Sequence, residues 1–389
     1  VAKQYFGSCN GSPDLWDGSN RGCDPAESVD LINKHWQPVF SGKSIDVLAQ
    51  EKLAKWLYDF VQDRGTLDTP PSSSWWDPEP EDFIHAIKTA GNSAPGPNGI
   101  PYCAYRPIKE LAAQVLLEYS DTLASPDCTP KDLVPGFNHA WMAMLPKKAT
   151  VDDPIKGPAY SPADLRPLSI VDTYNRLIAN VYRSKLSRPA NRYISMNQRG
   201  FLDGRNILEN ILDLDLASMT SICKGLPDAT VLFDFAAAFP SLGHEFMWKT
   251  LESLGVPPRY ICAYKWLYFE NKHKIRWKNE TFPCVNVSSG VRQGCPLSPL
   301  LFVLTLEPLL WRLGNAFPGA TFRAFADDIG AVIPNINVAW NTVISIFEEF
   351  GSFSCLHINA KKVVVIPLWT KTPDKKILDW LTSSPWFDV

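Results

Sequence analysis

The sequence predicts an α+β fold, an antiparallel sheet backed by helices. Three observations predict it. Short segments sit in adjacent pairs and read as hairpins: Lys272–Lys278 with Phe282–Val287, and the apolar runs Phe322–Ala326 and Ile329–Ile333. Helical stretches lie between them without a regular βαβα rhythm. Two of the apolar runs, those ending at Phe233 and Ala326, stop on acids: Asp234 for the first, Asp327 and Asp328 for the second.

Taken in order, residues 1–45 are rich in Gly, Ser, Asp and Pro and read as an extended arm. Leu53, Trp56, Leu57, Phe60 and Val61 set an amphipathic helix over Ala49–Val61. Asp68–Pro80 is a breaker-rich link, and Phe83, Ile84 and Ile87 give a short helix before Gly91. Ala94–Ile100, dense in Pro, Gly and Asn, is a stiff loop, followed by a helix over Ile108–Leu123. Trp141–Leu145 is a strand leading to Pro146-Lys147-Lys148, residues 150–165 form a proline-rich loop, and Leu168–Val171 is short. Tyr174, Leu177, Ile178, Val181 and Tyr182 set a helix with a basic opposite face, and another covers Arg205–Leu216. Ala236–Leu254 is helical with an early break at Pro240, and Tyr260–Phe269 is an aromatic helix. Leu297, Leu300, Leu301 and Leu304 start a helix kinked or stopped at Pro308. Trp340–Phe350 is a helix closed by Gly351, with strands at Leu356–Ile358 and Val363–Ile366 after it.

At 389 residues the chain has room for two to three domains, or one large domain with an extension. Its 45% hydrophobic and 20% charged residues are ordinary for a globular protein. No uninterrupted apolar run approaches the roughly 18 residues of a membrane span, and no signal peptide opens the chain. No membrane partner is expected. The chain begins at Val1, as a fragment of a longer product would. Nine scattered cysteines without a Cys-x-x-Cys pair support neither a zinc ribbon nor a disulfide framework, and read as free thiols in a reducing compartment. The six histidines show no metal-ligand spacing and are read as structural. Net charge is −3, but residues 141–205 hold eleven Lys/Arg against five Asp/Glu, and residues 255–280 hold six against two. A basic track on an acidic body suits a phosphate backbone.

Asp234, Asp327 and Asp328 are the candidate chemistry. Two adjacent acids also make a good turn, because Asp bonds its own backbone. Beside the strand-end acid Asp234, however, they form the ligand type of a two-metal site. There, divalent ions about 3.5–4 Å apart clamp the attacking and leaving oxygens. Magnesium suits a few carboxylates plus substrate phosphates, so two Mg2+ ions are expected, with Mn2+ as a substitute. Asp213 and Asp215 lack a flanking strand and read as a helix face.

Phe325-Ala-Asp-Asp328 resembles the Phe-Ala variant of the reverse transcriptase signature, and the order of the surrounding motifs resembles non-LTR (LINE-type) retrotransposon enzymes. SAPGPNGIPYCAYRPI (93–108) is similar to their opening loop motif. WMAMLPKK (141–148) and LRPLSIVDTYNRLIANVYRSKL (165–186) are similar to the fingers motifs, and QRGFLDGRNILENI (198–211) to the element after them. VLFDFAAAFPSL (231–242) resembles the first catalytic motif. SSGVRQGCPLSPLLFVLTLEPLL (288–310) resembles the template–nucleotide motif, and FEEFGSFSCLHINAKK (347–362) the fourth palm motif. Group II intron enzymes rank second on the 288–310 string.

The resemblance implies right-hand polymerase fingers and palm. The implied division is a linker with a helix over 1–90, fingers and the start of the palm over 91–230, palm over 231–367, and a truncated start of a thumb over 368–389. It implies an RNA-directed DNA polymerase with RNA template, DNA primer and dNTPs as partners, inside the cell and in the nucleus. Asp234 and Asp327 would bind both metals, with Asp328 the adjacent third acid. Phe239 falls where the family places the aromatic that blocks a ribonucleotide 2′-hydroxyl. Gln293 and Gly294 would lie against the new base pair, and Lys362 (or Lys361) would approach the leaving pyrophosphate. Lys147, Arg166, Arg176 and Arg292 are candidates for triphosphate or template contacts. Lys265, Lys272, Lys274, Arg276 and Lys278, interleaved with Trp266, Tyr268, Phe269 and Trp277, resemble a nucleic-acid surface. The aromatic share reads equally as core. Pro240, where many relatives carry an acid, is a departure. Two other functions stay open: a nucleic-acid-binding scaffold that has lost activity, and an RNA-copying RNA polymerase.

Overall fold

The backbone of the computed structural model enters two packing units alternately. It describes residues 12–18, 21–22, 24–70 and 72–369. The first unit takes Val1–Gly42, Pro71–Leu186 and Pro257–Ser298; the second takes Lys43–Pro70, Ser187–Val256 and Pro299–Val389.

In the first unit a four-stranded sheet runs in the order Leu165–Val171, Ala140–Pro146, Asn271–Trp277, Glu280–Val287. Its outer pairs are antiparallel, but Ala140–Pro146 and Asn271–Trp277 run parallel. The expectation of a purely antiparallel sheet is corrected at that junction. Those two strands are joined by a long crossover, and local patterning does not encode the direction of a crossover pair. The hairpin expected at 272–287 is present and turns at Lys278 and Asn279, both at positive φ (45° and 72°).

The expected arm at 1–45 is also corrected, because Pro25–Phe40 is a helix. Asp24 caps it, accepting hydrogen bonds from the Ala26 and Glu27 amides at 2.8 and 3.0 Å, with Pro25 at the first helical position. Val29, Ile32, Trp36 and Phe40 recur on one face and pack against Met142, Met144, Leu165, Ile275 and Trp277 of the sheet. Each such side chain contributes about 1.5–3 kcal/mol of burial. The turn-forming residues before residue 25 masked this spacing. The expected loop at 150–165 contains short strands Val151–Asp153 and Gly157–Tyr160, which join Asp14–Trp16 and Arg21–Gly22 in a small second sheet.

The stiff loop at 94–100 is held by contacts. The Asn98 amide donates to Asp172 Oδ1 at 2.9 Å, and a Cβ on Gly96 would meet the Asp172 amide nitrogen at 2.3 Å, so only glycine fits there.

The second unit carries a wholly antiparallel sheet in the order Thr321–Phe325, Asp328–Ile333, Ala229–Phe233, Val364–Pro367. Helix Ile336–Ser354 covers one face, setting Phe347 and Trp340 against Phe233 at ring separations of 4.8 and 6.5 Å. Helix Ile207–Lys224 lies on the other, with Leu214 against Gly330. The helix expected to close at Gly351 runs on to Ser354 and ends at Cys355, at φ 62°. Gly351 instead makes room for the His357 ring, which would come within 2.7 Å of a Cβ. Leu356–Ile358 forms no strand, only an isolated bridge between Ile358 and Phe235. Pro308 lies inside helix Ser298–Ala316 without stopping it, and the break expected at Pro240 falls instead at Leu242 and Gly243, between Ala238–Ser241 and His244–Ser253. Residues 370–389, most of the expected thumb start, lie outside the described residues. Among the described residues no helix is long and apolar enough to cross a membrane.

Candidate active site

Strand Ala229–Phe233 alternates strictly, with Val231 and Phe233 buried and Leu232 outward. It releases the chain at Asp234, whose carbonyl accepts from the Asn359 amide at 2.8 Å. In the neighbouring hairpin Phe325 pairs with Asp328, leaving Ala326 and Asp327 as a two-residue turn. Ala326 adopts φ 58°, which a side chain enters at a cost of about 1–2 kcal/mol.

Gln198, fully buried, holds that turn from below. Its Oε1 accepts from the Ala326 amide at 2.9 Å and the Gly200 amide at 2.8 Å, and its Nε2 donates to the Ala326 carbonyl at 3.0 Å. Sequence reasoning placed Gln198 in a motif without giving it this part. An unpaired Gln in a stretch otherwise rich in turn formers carries no spacing that reveals a distant partner.

Ile329 pairs with Phe233, so the next step of the register sets Asp328 across from Asp234. The two carboxylates feel each other. Burial, and then the charge of Asp234, push the Asp328 carboxyl above its ordinary pKa, opposed by Lys362. Asp234 Oδ2 is shielded from solvent and accepts no hydrogen bond, while Lys362 Nζ stands 3.3 Å from it. A shielded carboxylate oxygen without a hydrogen bond, across from a second carboxyl whose pKa is raised by burial and by the first acid, is a pair of oxygen donors whose negative charge a hard cation would offset. Among the described residues no group of three or more His, Cys, Asp or Glu stands close enough to hold an ion, so the acids do not form a closed three-ligand cluster.

Phe239 is half-buried, stacked on Phe302 at 4.5 Å with planes 9° apart and edge-on to Phe201 at 6.0 Å. It forms a rigid aromatic wall in the same unit as the acids. Asp213, expected as a helix face, is paired with Arg199 at 2.8 Å and Arg323 at 2.7 Å.

The remaining candidates belong to the first unit. Strand Asn271–Trp277 turns Asn271, His273, Ile275 and Trp277 inward and Lys272, Lys274 and Arg276 outward. Trp141 pairs with Lys274, and Arg276 lies over its ring at 5.3 Å. Leu145, two steps along the same face from Ala143, pairs with the exposed Arg166. Lys272, Lys274, Arg276 and Arg166 thus share one face of the sheet, opposite the Pro25–Phe40 helix. Lys272 also meets Glu270 at 3.1 Å, and Lys278 lies 3.6 Å from Asp14. Lys265 is exposed on helix Pro258–Leu267, and Lys147 is exposed beyond Pro146. Tyr268 and Trp277 are core, as the aromatic share allowed.

Gly294 has φ 111°, and a Cβ there would meet the Ser169 carbonyl at 2.6 Å. Beside it, the Gln293 carbonyl accepts from the Ser169 amide at 2.8 Å. Two of the expected contact residues are enclosed within the unit. Arg292 is 2% exposed, donates to Asn271 Oδ1 at 3.1 Å and Asn175 Oδ1 at 3.4 Å, and stacks on Tyr268. Arg176, 7% exposed, donates to Ser93 Oγ and the Ala94 carbonyl and lies over Tyr102. Both guanidiniums are engaged inside the unit and hold its loops. Composition around each residue gave no warning, because long basic side chains are normally exposed.

The family model described as reverse transcriptase (RNA-dependent DNA polymerase) matches residues 145–381. The chain is 26% identical over 302 residues to a retrovirus-related Pol polyprotein from the type-2 retrotransposable element R2DM of Drosophila melanogaster, covering 75% of this chain and 26% of that protein. It is 28% identical over 234 residues to the transposon TX1 uncharacterized 149 kDa protein of Xenopus laevis, covering 57% and 17%. It is 25% identical over 260 residues to a Pol polyprotein from the type-1 retrotransposable element R2 of Nasonia vitripennis, covering 66% and 23%. The chain thus spans about a quarter or less of the length of these relatives. With the acid-ended strands in register and the family model spanning more than half of the sequence, the chain belongs to the reverse transcriptase (RNA-dependent DNA polymerase) family.

Proposed function

We propose that this chain is the catalytic body of an RNA-directed DNA polymerase, extending a DNA primer on an RNA template with dNTPs. The observation that carries the reading is the register that sets Asp328 across from Asp234, at the rim of a sheet whose turn presents Asp327. The second unit is then the palm and the first the fingers.

Asp234, Asp327 and Asp328 are the residues that would hold two divalent ions, Mg2+ by preference, with Mn2+ as a substitute. When bound, such ions supply charge stabilisation to the attacking and leaving oxygens. The primer 3′-hydroxyl gives its proton to water as its oxygen forms a bond to the α-phosphorus of the dNTP, the bond from that phosphorus to the bridging oxygen breaks, and pyrophosphate departs. Lys362, beside Asp234, offers its ammonium to that leaving group. Phe239, braced by Phe302, excludes a 2′-hydroxyl by clash rather than by attraction. The outward row Lys272, Lys274 and Arg276, with Arg166 and the Trp141 ring on the same face, receives phosphates and stacked bases.

Primer extension on an RNA template with magnesium or manganese tests the reading. Asp234→Ala and Asp327→Ala should each lower incorporation by roughly 10²–10³-fold or more, the scale of losing a main electrostatic element. Incorporation that survives Asp327→Ala unchanged refutes the assignment of that acid.

A further inference from the structure

Phe201 is held in a conformation that a bulky side chain resists. It follows Gly200, in the turn after Gln198, and adopts φ 59° while staying 50% exposed. In the left-handed region the Cβ crowds the backbone, so a large residue there is strained unless its surroundings over-determine it. Burial does not do so here, because half of the residue remains in solvent. The hold comes from the residues just before it. The Arg199 amide donates to the Ala324 carbonyl at 2.9 Å, and the Gly200 amide donates to Gln198 Oε1 at 2.8 Å. Gly200 also lies so close against Ala326 that a Cβ on it would collide with the Ala326 amide nitrogen.

What the fixed ring meets is aromatic. Phe239 stands nearly at right angles to it, with centroids 6.0 Å apart and planes 81° apart, and Phe325 is tilted against it at 6.5 Å. Phe239 in turn lies flat on the buried Phe302, at 4.5 Å with planes 9° apart. Stacked rings are as stable offset as aligned, so Phe302 alone sets the height of the Phe239 ring but not its place within the plane. A second ring set across that plane blocks the slide. The Phe239 backbone adds little, since it sits in a single helical turn, Ala238–Ser241, that depends on packing for its order.

We propose that Phe201 is a positioning residue for sugar selection, which fixes the Phe239 ring against the space of a ribonucleotide 2′-hydroxyl; the proposal rests on the reading of Phe239 as the sugar wall. Exclusion by clash demands a wall that does not yield. Phe302 and Phe201 hold that wall from two directions, and Phe201 draws its own stiffness from Gln198, whose Oε1 also accepts from the Ala326 amide at 2.9 Å. One carboxamide thereby sets both the wall and the turn that carries Asp327, so selection of the sugar and placement of the acid share a support.

Two measurements on the full chain test it. With 4-fluorophenylalanine at the position of Phe239, the fluorine line width reports the mobility of that ring, with no nucleotide or metal added. Phe201→Ala should narrow the line about 2-fold as the ring gains motion, and Phe201→Tyr, which keeps a ring in place, should retain the original width. An unchanged width in Phe201→Ala overturns the proposal, even in a chain that extends no primer. The second measurement is the ratio of kcat/KM for dCTP to that for CTP in single-nucleotide primer extension. Phe239→Val should lower the ratio about 10²-fold and Phe201→Ala about 10-fold, the latter through a gain for CTP. In the Phe239→Val background Phe201→Ala should change the ratio no further, since its effect passes through the ring already removed. A ratio unmoved by Phe239→Val refutes the sugar wall itself. A ratio that falls in Phe239→Val but not in Phe201→Ala, or falls independently in both, overturns the part given to Phe201 alone. Should Phe201→Ala unfold, Phe201→Leu, which keeps bulk but no ring, replaces it in both measurements.

Discussion

Replacing Lys362 by Met separates two effects of one ammonium. Lys362 Nζ lies 3.3 Å from Asp234 Oδ2, with the lysine side chain 65% exposed and the aspartate 35%. At that distance two unit charges attract by about 1 kcal/mol at the dielectric of water and about 5 kcal/mol at an effective dielectric near 20. With most of the lysine in solvent the lower figure applies, and exposed pairs rarely exceed about 1 kcal/mol. The ammonium therefore competes with a divalent ion for Asp234 by about that amount, and Lys362→Met should tighten Mn2+ binding about 5-fold. Lys362 also draws the Asp328 pKa down, against burial and Asp234. Without it that pKa rises further, so Mn2+ binding in the variant should set in at higher pH. Turnover should move the other way, falling about 10²–10⁴-fold if the ammonium protonates pyrophosphate. Mn2+ titration followed by electron paramagnetic resonance, without nucleotide, reads the first effect, and single-turnover primer extension reads the second. Affinity that is unchanged or weaker in Lys362→Met would refute the competition at Asp234.

Three further outcomes follow from the geometry. Arg292→Met leaves the Oδ1 atoms of Asn175 and Asn271 without their buried donor, and should cost about 1–3 kcal/mol of stability for each orphaned acceptor, read by urea unfolding, while leaving the KM for dNTP nearly unchanged below the melting range. A rise in KM with stability intact would restore Arg292 to the nucleotide site. His273 is buried with its pKa pushed down to about 3, chiefly by burial and then by Arg292. Its unfolded form takes a proton near pH 6.5 while the folded form stays neutral, so stability should be lost as pH falls from about 6.5, by about 1 kcal/mol per pH unit, and His273→Gln should flatten that slope in urea midpoints at pH 7, 6 and 5. Gln198→Leu removes the partner of the Ala326 amide, the Ala326 carbonyl and the Gly200 amide; at about 1–3 kcal/mol for each orphaned group it should lower the melting temperature and weaken Mn2+ binding together.

Features coded by short-range pattern were legible in the sequence. The hairpins at 271–287 and 321–333 and the helices at Val47–Arg64, Lys109–Ala124 and Pro258–Leu267 stand close to where periodicity sets them. What escaped is coded by distant partners. Gly351 reads as a helix end until the His357 ring arrives against it. Pro25–Phe40 reads as an arm until its stripe meets Met142 and Ile275. Arg176 and Arg292 read as surface cations because nothing near them in sequence says that Tyr102 and Tyr268 will close over their planes.

The acids illustrate both kinds of information at once. Asp327 and Asp328 were visible from the two-residue gap between apolar runs, but the turn sits one residue earlier, at Ala326 and Asp327, and Asp328 already pairs with Phe325 in the second strand. Their usefulness depends on matters the gap does not state. The turn must hold Ala326 in a left-handed conformation that disfavours a side chain, and it is Gln198, well over a hundred residues earlier, that satisfies both backbone groups of Ala326 there. The register must then bring Asp328 opposite Asp234 rather than one residue away, since a slip of one would turn Asp328 to the other face. Phe233 fixes that register by filling the space between Trp340 and Phe347, so the core packing of one strand decides where its terminal carboxylate stands. A site of this kind is therefore as rigid as the aromatic core beneath it, and substitutions at Phe233 or Phe347 belong to its chemistry as much as to its stability.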